Sequence, residues 1–479
     1  MPKCKYHEIC GLDGNTEEDL CILHSQDPEK DREKFDKALA GHRQKNGHNF
    51  QHFVFPGYAA YFKGFRFIGR ADFSGAQFTE KASFEEAEFQ HSADFRQSSF
   101  QGPATFFGAV FTEHADFAHA KFANGAYFSG SKFIRGAKLF NATFTKDAKF
   151  SEAEFTGWAD FRLATFKGWT SFANADFTEG VSFSDAEFMA HAAFFNANFL
   201  TDASFVGAKF TEGADFSGTS FGNVAEFVRA RFLGRTRFLS RQEKGKHIPI
   251  FLGTLVNFRE VDMAPDAVVF QDADLRKCHF LGTDLRKTWF ANVTWPEIVP
   301  KRWPKIGRRQ GGYDEDWAEQ KSDNRSIPQI EELYRQLKQN YEDRRDYERA
   351  RHFHYGEKEM RRKNSGCGLW ILLTAYRWVS GYGESCLLPF LSAMILLAAT
   401  TAAYLCGGLL LPNKDASVMP NSTSLLDVGL YSLRVMTLLR PNDFMPIGFC
   451  GSFVNMIQSI FGPLLIGLFA LALRQRLKR

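Results

Sequence analysis

Residues 71–89 read ADFSGAQFTEKASFEEAEF, with phenylalanine at positions 73, 78, 84 and 89. The steps are five, six and five residues. The same alternation runs from Phe62 to Phe238, sixteen units of eleven residues, with Leu139 in the place of one phenylalanine. Most units carry alanine two positions earlier, as in Ala71-Asp72-Phe73 and Ala87-Glu88-Phe89. An α-helix cannot use this pattern. At about 100° per residue, positions five apart lie roughly 140° apart, so the apolar side chains would surround the helix instead of forming a stripe. A plain strand fails too, because a step of five switches faces. A solenoid satisfies both spacings. The chain turns a corner after each short unit and sends one large and one small side chain inward.

The units ADF, AEF, ANF and AKF, for instance Ala93-Asp94-Phe95 and Ala197-Asn198-Phe199, resemble the pentapeptide repeat family, whose motif is A(D/N)Lxx with Leu or Phe at the centre. A strict step of five returns at Phe270, Leu275, Phe280, Leu285, Phe290 and Trp295. The resemblance covers roughly residues 53–297. It implies a mainly β fold, a right-handed quadrilateral β-helix with four faces per coil. The extra residue in every second unit reads as a bulge at alternate corners, giving about 22 residues per coil. Residues 62–238 would then form about eight coils, roughly 38 Å long at the spacing of paired strands. The solenoid is expected over 53–238, an inserted loop over 239–262 (LSRQEKGKHIPIFLGTLVNFREVD), and further coils over 263–297.

The composition fits this reading. Phenylalanine contributes 52 of 479 residues, a skew that signals a repeat. The net charge of +4 is too small to argue for nucleic acid. Some pentapeptide repeat proteins imitate DNA with an acidic surface. Residues 62–238 carry 20 acidic and 18 basic side chains, so that role is not expected here. The outward positions hold no recurring histidine or paired carboxylate and no nucleophile–base arrangement, so the rod reads as a spacer or docking surface and the chain as a non-enzyme.

Cys4, Cys10, Cys21 and His24 follow the spacing C-x5-C-x10-C-x2-H within residues 1–30. Four soft ligands in two pairs suit a closed tetrahedral Zn2+ site, and a short polar segment needs such a staple to fold. His7 is an alternative ligand. The alternative for the segment as a whole is a disordered tail with incidental cysteines. Short Cys/His knuckles of this kind resemble those at the start of some repeat proteins, which implies a structural zinc. The opening MPKCKYHEIC is polar, so no signal peptide is expected. Residues 31–52 read as a charged helical linker.

Beyond the repeats, residues 298–327 are expected to be a basic linker, entered through WPEIVPKRWPKIGRRQGG at 295–312. Over 328–363, Ile330, Leu333, Tyr334, Leu337 and Tyr341 follow helical spacing, and Tyr347, Ala350, Phe353, His354 and Met360 resume it after a turn near Asp346. This helical hairpin resembles one unit of a tetratricopeptide array. His352 and His354 read as surface residues. Residues 364–385 mix apolar residues with Trp370, Tyr376, Trp378 and Arg377, the signature of a helix lying on a membrane surface. SGYGES at 380–385 precedes the first apolar span and reads as a turn entering the membrane.

No charged residue lies between Glu384 and Lys414, or between Asp443 and Arg474. Transmembrane helices are expected at 386–411 and 447–473. The basic flanks, Arg361-Arg362-Lys363 before and Arg474, Arg476, Lys478 and Arg479 after, place both termini in the cytoplasm, with 474–479 as a basic tail. The protein is therefore expected in the plasma membrane, with lipid as a partner.

The intervening 412–446 would be an extracytoplasmic loop holding a short amphipathic helix. With Leu430-Tyr431-Ser432, Thr437 and Asp443-Phe444-Met445-Pro446, it resembles the pore-helix region of a two-helix potassium channel subunit. In that family TxGYGD supplies the filter. Here Arg440, Pro441 and Asn442 stand in its place, which argues against potassium selectivity. Candidate pore residues are Arg434, Thr437, Arg440, Asn442, Asp443, Asn455 and Gln458. Arg434 reads either as a surface residue or as a ring at a pore mouth. Asn455 and Gln458 read either as pore-lining or as hydrogen bonds between helices. Two functions follow. One is a channel-like homo-oligomer, tetrameric by resemblance, with the rod regulating it or docking a protein partner. The other is a membrane-anchored scaffold that conducts nothing.

Overall fold

The computed structural model describes the chain except for residues 1–2, 15–18, 28, 58–60, 244–245, 254, 300–308, 322–325, 408–409, 413–423, 440–443 and 478–479. The chain forms two units, residues 1–296 with 312–321, and residues 297–311 with 322–479.

The first unit is a β-solenoid. Four parallel sheets run along it, three of ten strands and one of eight. Most strands are two residues long, and each pairs with the strand one coil away. Ala71 pairs with Ala93 and Phe78 with Phe100, a register of two elevens. The phenylalanines of one face therefore stack on one another. Phe78 and Phe100 have ring centroids 4.7 Å apart and planes at 0°, and Phe100 and Phe122 are 4.8 Å apart at 0°. Columns on opposite faces meet edge to face across the core, as Phe84 and Phe95 do at 5.3 Å and 89°. Both are favoured aromatic geometries. The alanine positions are buried as well. Where serine replaces alanine, its hydroxyl is satisfied: Ser98 donates to the Phe95 carbonyl at 2.7 Å, and Ser131 to that of Phe128 at 2.6 Å.

Two kinds of corner explain the alternation of five and six. In the five-residue step, the Ala76 N–H donates to the Phe73 carbonyl at 3.0 Å across Ser74-Gly75, and Gly75 has φ 66°. That is a type II turn, which needs positive φ at its third position. The left-handed residue recurs every eleven, through Glu86, Gln97, Gly108, His119 and Gly130. The six-residue step holds the additional residue at the other corner. The polar member of the ADF units ties down the first kind of corner: Asp72 accepts from the Ser74 N–H at 3.0 Å and Asp160 from the Arg162 N–H at 3.0 Å.

The interruption after Phe238 is shorter than the 239–262 loop read from the sequence. Arg241–Glu243 and Lys246–Ile248 form an antiparallel hairpin that stands out of the coil. Phe251 already bridges Phe221, and Leu255–Asn257 pairs with Val224–Glu226. The motif is lost there because Val256 and Val261 fill inward positions usually held by alanine.

At its start the solenoid is covered by helices α1 (His7–Cys10) and α2 (Arg32–Asn46). Phe35 packs edge-on against Phe55, and Val54 N–H donates to the Leu23 carbonyl at 2.9 Å. At its end, helix α3 (Tyr313–Lys321) docks on the last coils. Asp314 accepts from His279 Nδ1 at 2.9 Å and from the Phe280 N–H at 3.0 Å, with Tyr313 and Trp317 against the imidazole. Within the stretch 298–327 read as a linker, Tyr313–Lys321 is thus a docked helix. A buried carboxylate must find donors, and an otherwise open sheet end supplies a backbone N–H.

The second unit is helical apart from short strand pairs. Helices α4 (Ile327–Asp343) and α5 (Tyr347–Lys363) form a hairpin with Tyr341 stacked on Phe353 at 5.5 Å. Helix α6 (Cys367–Ser380) leads through a tight turn to α7 (Leu387–Cys406). Helix α8 (Leu425–Met436) precedes α9 (Gly448–Leu477), and Leu410–Pro412 pairs with Phe444–Pro446. Helices α7 and α9 are long and apolar enough to cross a membrane. Their outer surfaces expose Phe390, Met394 and Ile395, and Phe453, Ile460 and Leu464.

Candidate metal centre and helical bundle

Two elements bring the Cys/His ligands together. Cys10 ends α1, and the left-handed Gly11 turns the chain back. Cys21 opens a turn whose carbonyl accepts from the His24 N–H at 3.0 Å, so the third and fourth ligands point the same way. The four ligand atoms lie within 4.8 Å of one another, and all four residues are buried. Cys21 Sγ is 3.7 Å from Cys10 Sγ and 3.2 Å from His24 Nδ1, and Cys4 Sγ is 3.6 Å from His24 Nδ1. Metal–sulfur bonds of about 2.3 Å and metal–nitrogen bonds of about 2.0 Å place the edges of a tetrahedral site at roughly 3.5–3.8 Å. These three edges match a tetrahedral site within a few tenths of an ångström, and with no pair wider than 4.8 Å the cluster could hold a metal ion.

Its surroundings suit that role. His24 Nε2 bonds the Gln51 carbonyl at 3.2 Å, which fixes the tautomer that leaves Nδ1 free to ligate. The backbone N–H groups of Tyr6 and Cys21 point at Cys4 Sγ at 3.5 and 3.3 Å. Burial pushes the Cys10 and Cys21 thiols up and the His24 imidazole down to about 4, so the imidazole is neutral at pH 7. His7 is outside the cluster; its Nδ1 bonds the Leu12 carbonyl at 2.9 Å.

In the helical unit, α8 is wedged against both long helices. Ser432 on α8 is fully buried. Its hydroxyl lies 2.8 Å from Thr400 Oγ1 of α7, and Gln458 Nε2 of α9 donates to its carbonyl at 2.8 Å and its hydroxyl at 2.5 Å. Tyr431 donates to Asn455 at 3.4 Å, and its ring packs edge-on against Tyr404 and Phe444. Asn455 and Gln458 thus hydrogen-bond between helices within one chain. Arg434 is partly exposed on α8, and Thr437 caps it by donating to the Leu433 carbonyl at 2.9 Å. Arg440, Asn442 and Asp443 lie outside the described residues.

A third cluster was not read from the sequence. Glu359 of α5 accepts from Arg362 at 2.5 Å, Arg377 of α6 at 3.3 Å and Tyr382 at 2.9 Å. Burial raises this carboxyl, but the Arg362 hydrogen bond and the two guanidinium charges outweigh it and hold it below its usual range. Its members lie 18 and 23 residues apart across a turn, with no spacing rule to announce them. His354, read as a surface residue, is half-buried beside it.

The family model for pentapeptide repeats (9 copies) matches residues 50–99, 84–132, 128–175 and 150–196. Comparison with curated proteins and with solved structures finds no match. Over residues 50–196 the chain is therefore a pentapeptide-repeat solenoid, and the later coils continue its phenylalanine column in register to Phe290.

Proposed function

We propose that this is a plasma-membrane protein in which α7 and α9 cross the bilayer and enclose α8 in the manner of a two-helix channel subunit, four chains forming the assembly. The solenoid then acts as a cytoplasmic regulatory or docking module for a protein partner, and the Cys/His cluster holds a structural Zn2+. The observation that carries the reading is Ser432. A helix of 12 residues spans only about 18 Å, too short to cross a membrane, yet its middle is buried and hydrogen-bonded from both long helices. A short helix held between two spans is what a re-entrant loop requires. The basic residues outside both spans support cytoplasmic termini. Arg434 and Thr437 lie at the end of α8, and the positive charge of Arg434 and, in the sequence that follows, Arg440 favours a pore for something other than potassium.

The test is ion flux from liposomes containing the full chain, compared with protein-free liposomes. The reading expects flux whose anion-to-cation ratio falls in Arg434→Gln and Arg440→Gln. Vesicles as tight as the protein-free control would leave an anchored scaffold.

A further inference from the structure

Helix α6 is built inside out. At about 100° per residue, Leu373, Tyr376, Arg377 and Ser380 share one face, and Ile371, Ala375 and Trp378 share the opposite one. The first face is turned inward. Leu373 and Ser380 are buried, Leu373 packs with Tyr355 and Tyr382, and Arg377 pairs with Glu359 at 3.3 Å. The outward face carries no charge and exposes apolar side chains: Ile371 is 62% exposed, its neighbour Leu372 62% and Trp378 53%. Charge inward and hydrocarbon outward is the reverse of a helix that faces water.

We propose that the outward face of α6 lies in the membrane surface, so that lipid acyl chains are what cover it. This rests on the reading of α7 as a membrane span. Three observations favour lipid as the occupant. The face is continuous with a span: Gly381, Tyr382 and Gly383 all have positive φ, and this turn passes α6 directly into α7. The helix has 14 residues, about 21 Å, so it cannot itself cross a bilayer and must lie along it. Exposed Arg361 and Lys363 at the end of α5 stand immediately before it, where cationic side chains meet headgroup phosphates. The two tryptophans, Trp370 and Trp378, suit the same layer. Glu359 then has a task. It holds Arg377 and Tyr382 from the α5 side, so the α5 end of the hairpin and the membrane-facing helix move as one body.

The experiment is carbene labelling of the full chain in phosphatidylcholine–phosphatidylglycerol vesicles, with an apolar aryl diazirine that partitions into the acyl phase. Peptide mass mapping reads the labelled residues. Label on α6 at Ile371, Leu372 or Trp378, together with α7 and α9, is the expected result. In Ala375→Glu, α6 labelling should fall about tenfold while α7 labelling stays, since a carboxylate disfavours transfer into the acyl layer. Label on α7 and α9 with none on α6 overturns the proposal and leaves the spanning helices in place. Label on none of the three overturns the membrane reading itself. Unchanged α6 labelling in Ala375→Glu also counts against the proposal.

Discussion

Phe100 lies between Phe78 and Phe122 with all three rings parallel and centroids 4.7 and 4.8 Å away. The ring is fully buried and has a stacked partner on each side. Phe100→Ala should therefore cost about 3–5 kcal/mol, the transfer term plus an unfilled cavity. Chemical denaturation followed by near-ultraviolet circular dichroism measures it. A loss under about 1 kcal/mol would mean that neighbouring coils collapse into the gap.

Leu163 occupies the left-handed position of its turn at φ 59°, where glycine or asparagine stands in many other coils. Its side chain is exposed, so little packing is lost on replacement. Leu163→Asn should stabilise the solenoid by about 0.5–1 kcal/mol through relief of backbone strain. A raised denaturation midpoint with an unchanged slope is the expected signature.

Gly462 of α9 faces Met436 at the end of α8, and an added Cβ would meet its Cγ at 2.5 Å and its Cα at 2.9 Å. Backbone cannot yield there as a flexible side chain would. Gly462→Ala should push α8 off α9, lower the melting temperature in detergent and cost about 1–3 kcal/mol. An unaltered melt would show that α8 is not seated on α9 as described.

Burial, then the nearby Lys338 and Lys358 charges, lowers the His354 imidazole to about 4, and a hydrogen bond to the Tyr382 backbone offsets only part of this. The unfolded chain therefore binds the proton first. Stability is full above about pH 6.5 and declines as pH falls towards 4, by up to about 3 kcal/mol. Denaturation midpoints measured from pH 7.5 to 4.5 should show this slope, and His354→Gln should flatten it.

The metal reading makes its own demand. One Zn2+ per chain should be found by elemental analysis, and Cys21→Ser should lose it. Chelation should raise amide exchange at Val54, whose N–H is held by the Leu23 carbonyl in the knuckle. Zinc affinity should fall with acidification, because protons compete for the thiolates. Full zinc content in Cys21→Ser would contradict the assigned ligand set.

Much of this was legible in sequence because each coil repeats the same demand. A buried phenylalanine recurs every five or six residues, so one error, as at Leu139, does not obscure the period. Cys4, Cys10, Cys21 and His24 were legible for a different reason: their residue types are rare and specific. Spacing alone could not choose His24 over His7, since the choice depends on Nδ1 of His7 being held by Leu12. The docking of α3 was hidden because Asp314 answers a backbone N–H, which no side-chain pattern records. The Glu359–Arg377–Tyr382 cluster was hidden because its partners meet only once α5 and α6 fold against each other. In the long apolar segments, Asn455 and Gln458 announced themselves as polar residues among apolar ones, but their partners Tyr431 and Ser432 sit on a helix whose packing had to be seen.

The measurement that tests the central claim most directly is the mass of the detergent-solubilised full chain, corrected for bound detergent. A channel-like assembly predicts four copies of the 54.4 kDa chain. A monomer would contradict it, because two spans and one short helix per chain cannot enclose a path.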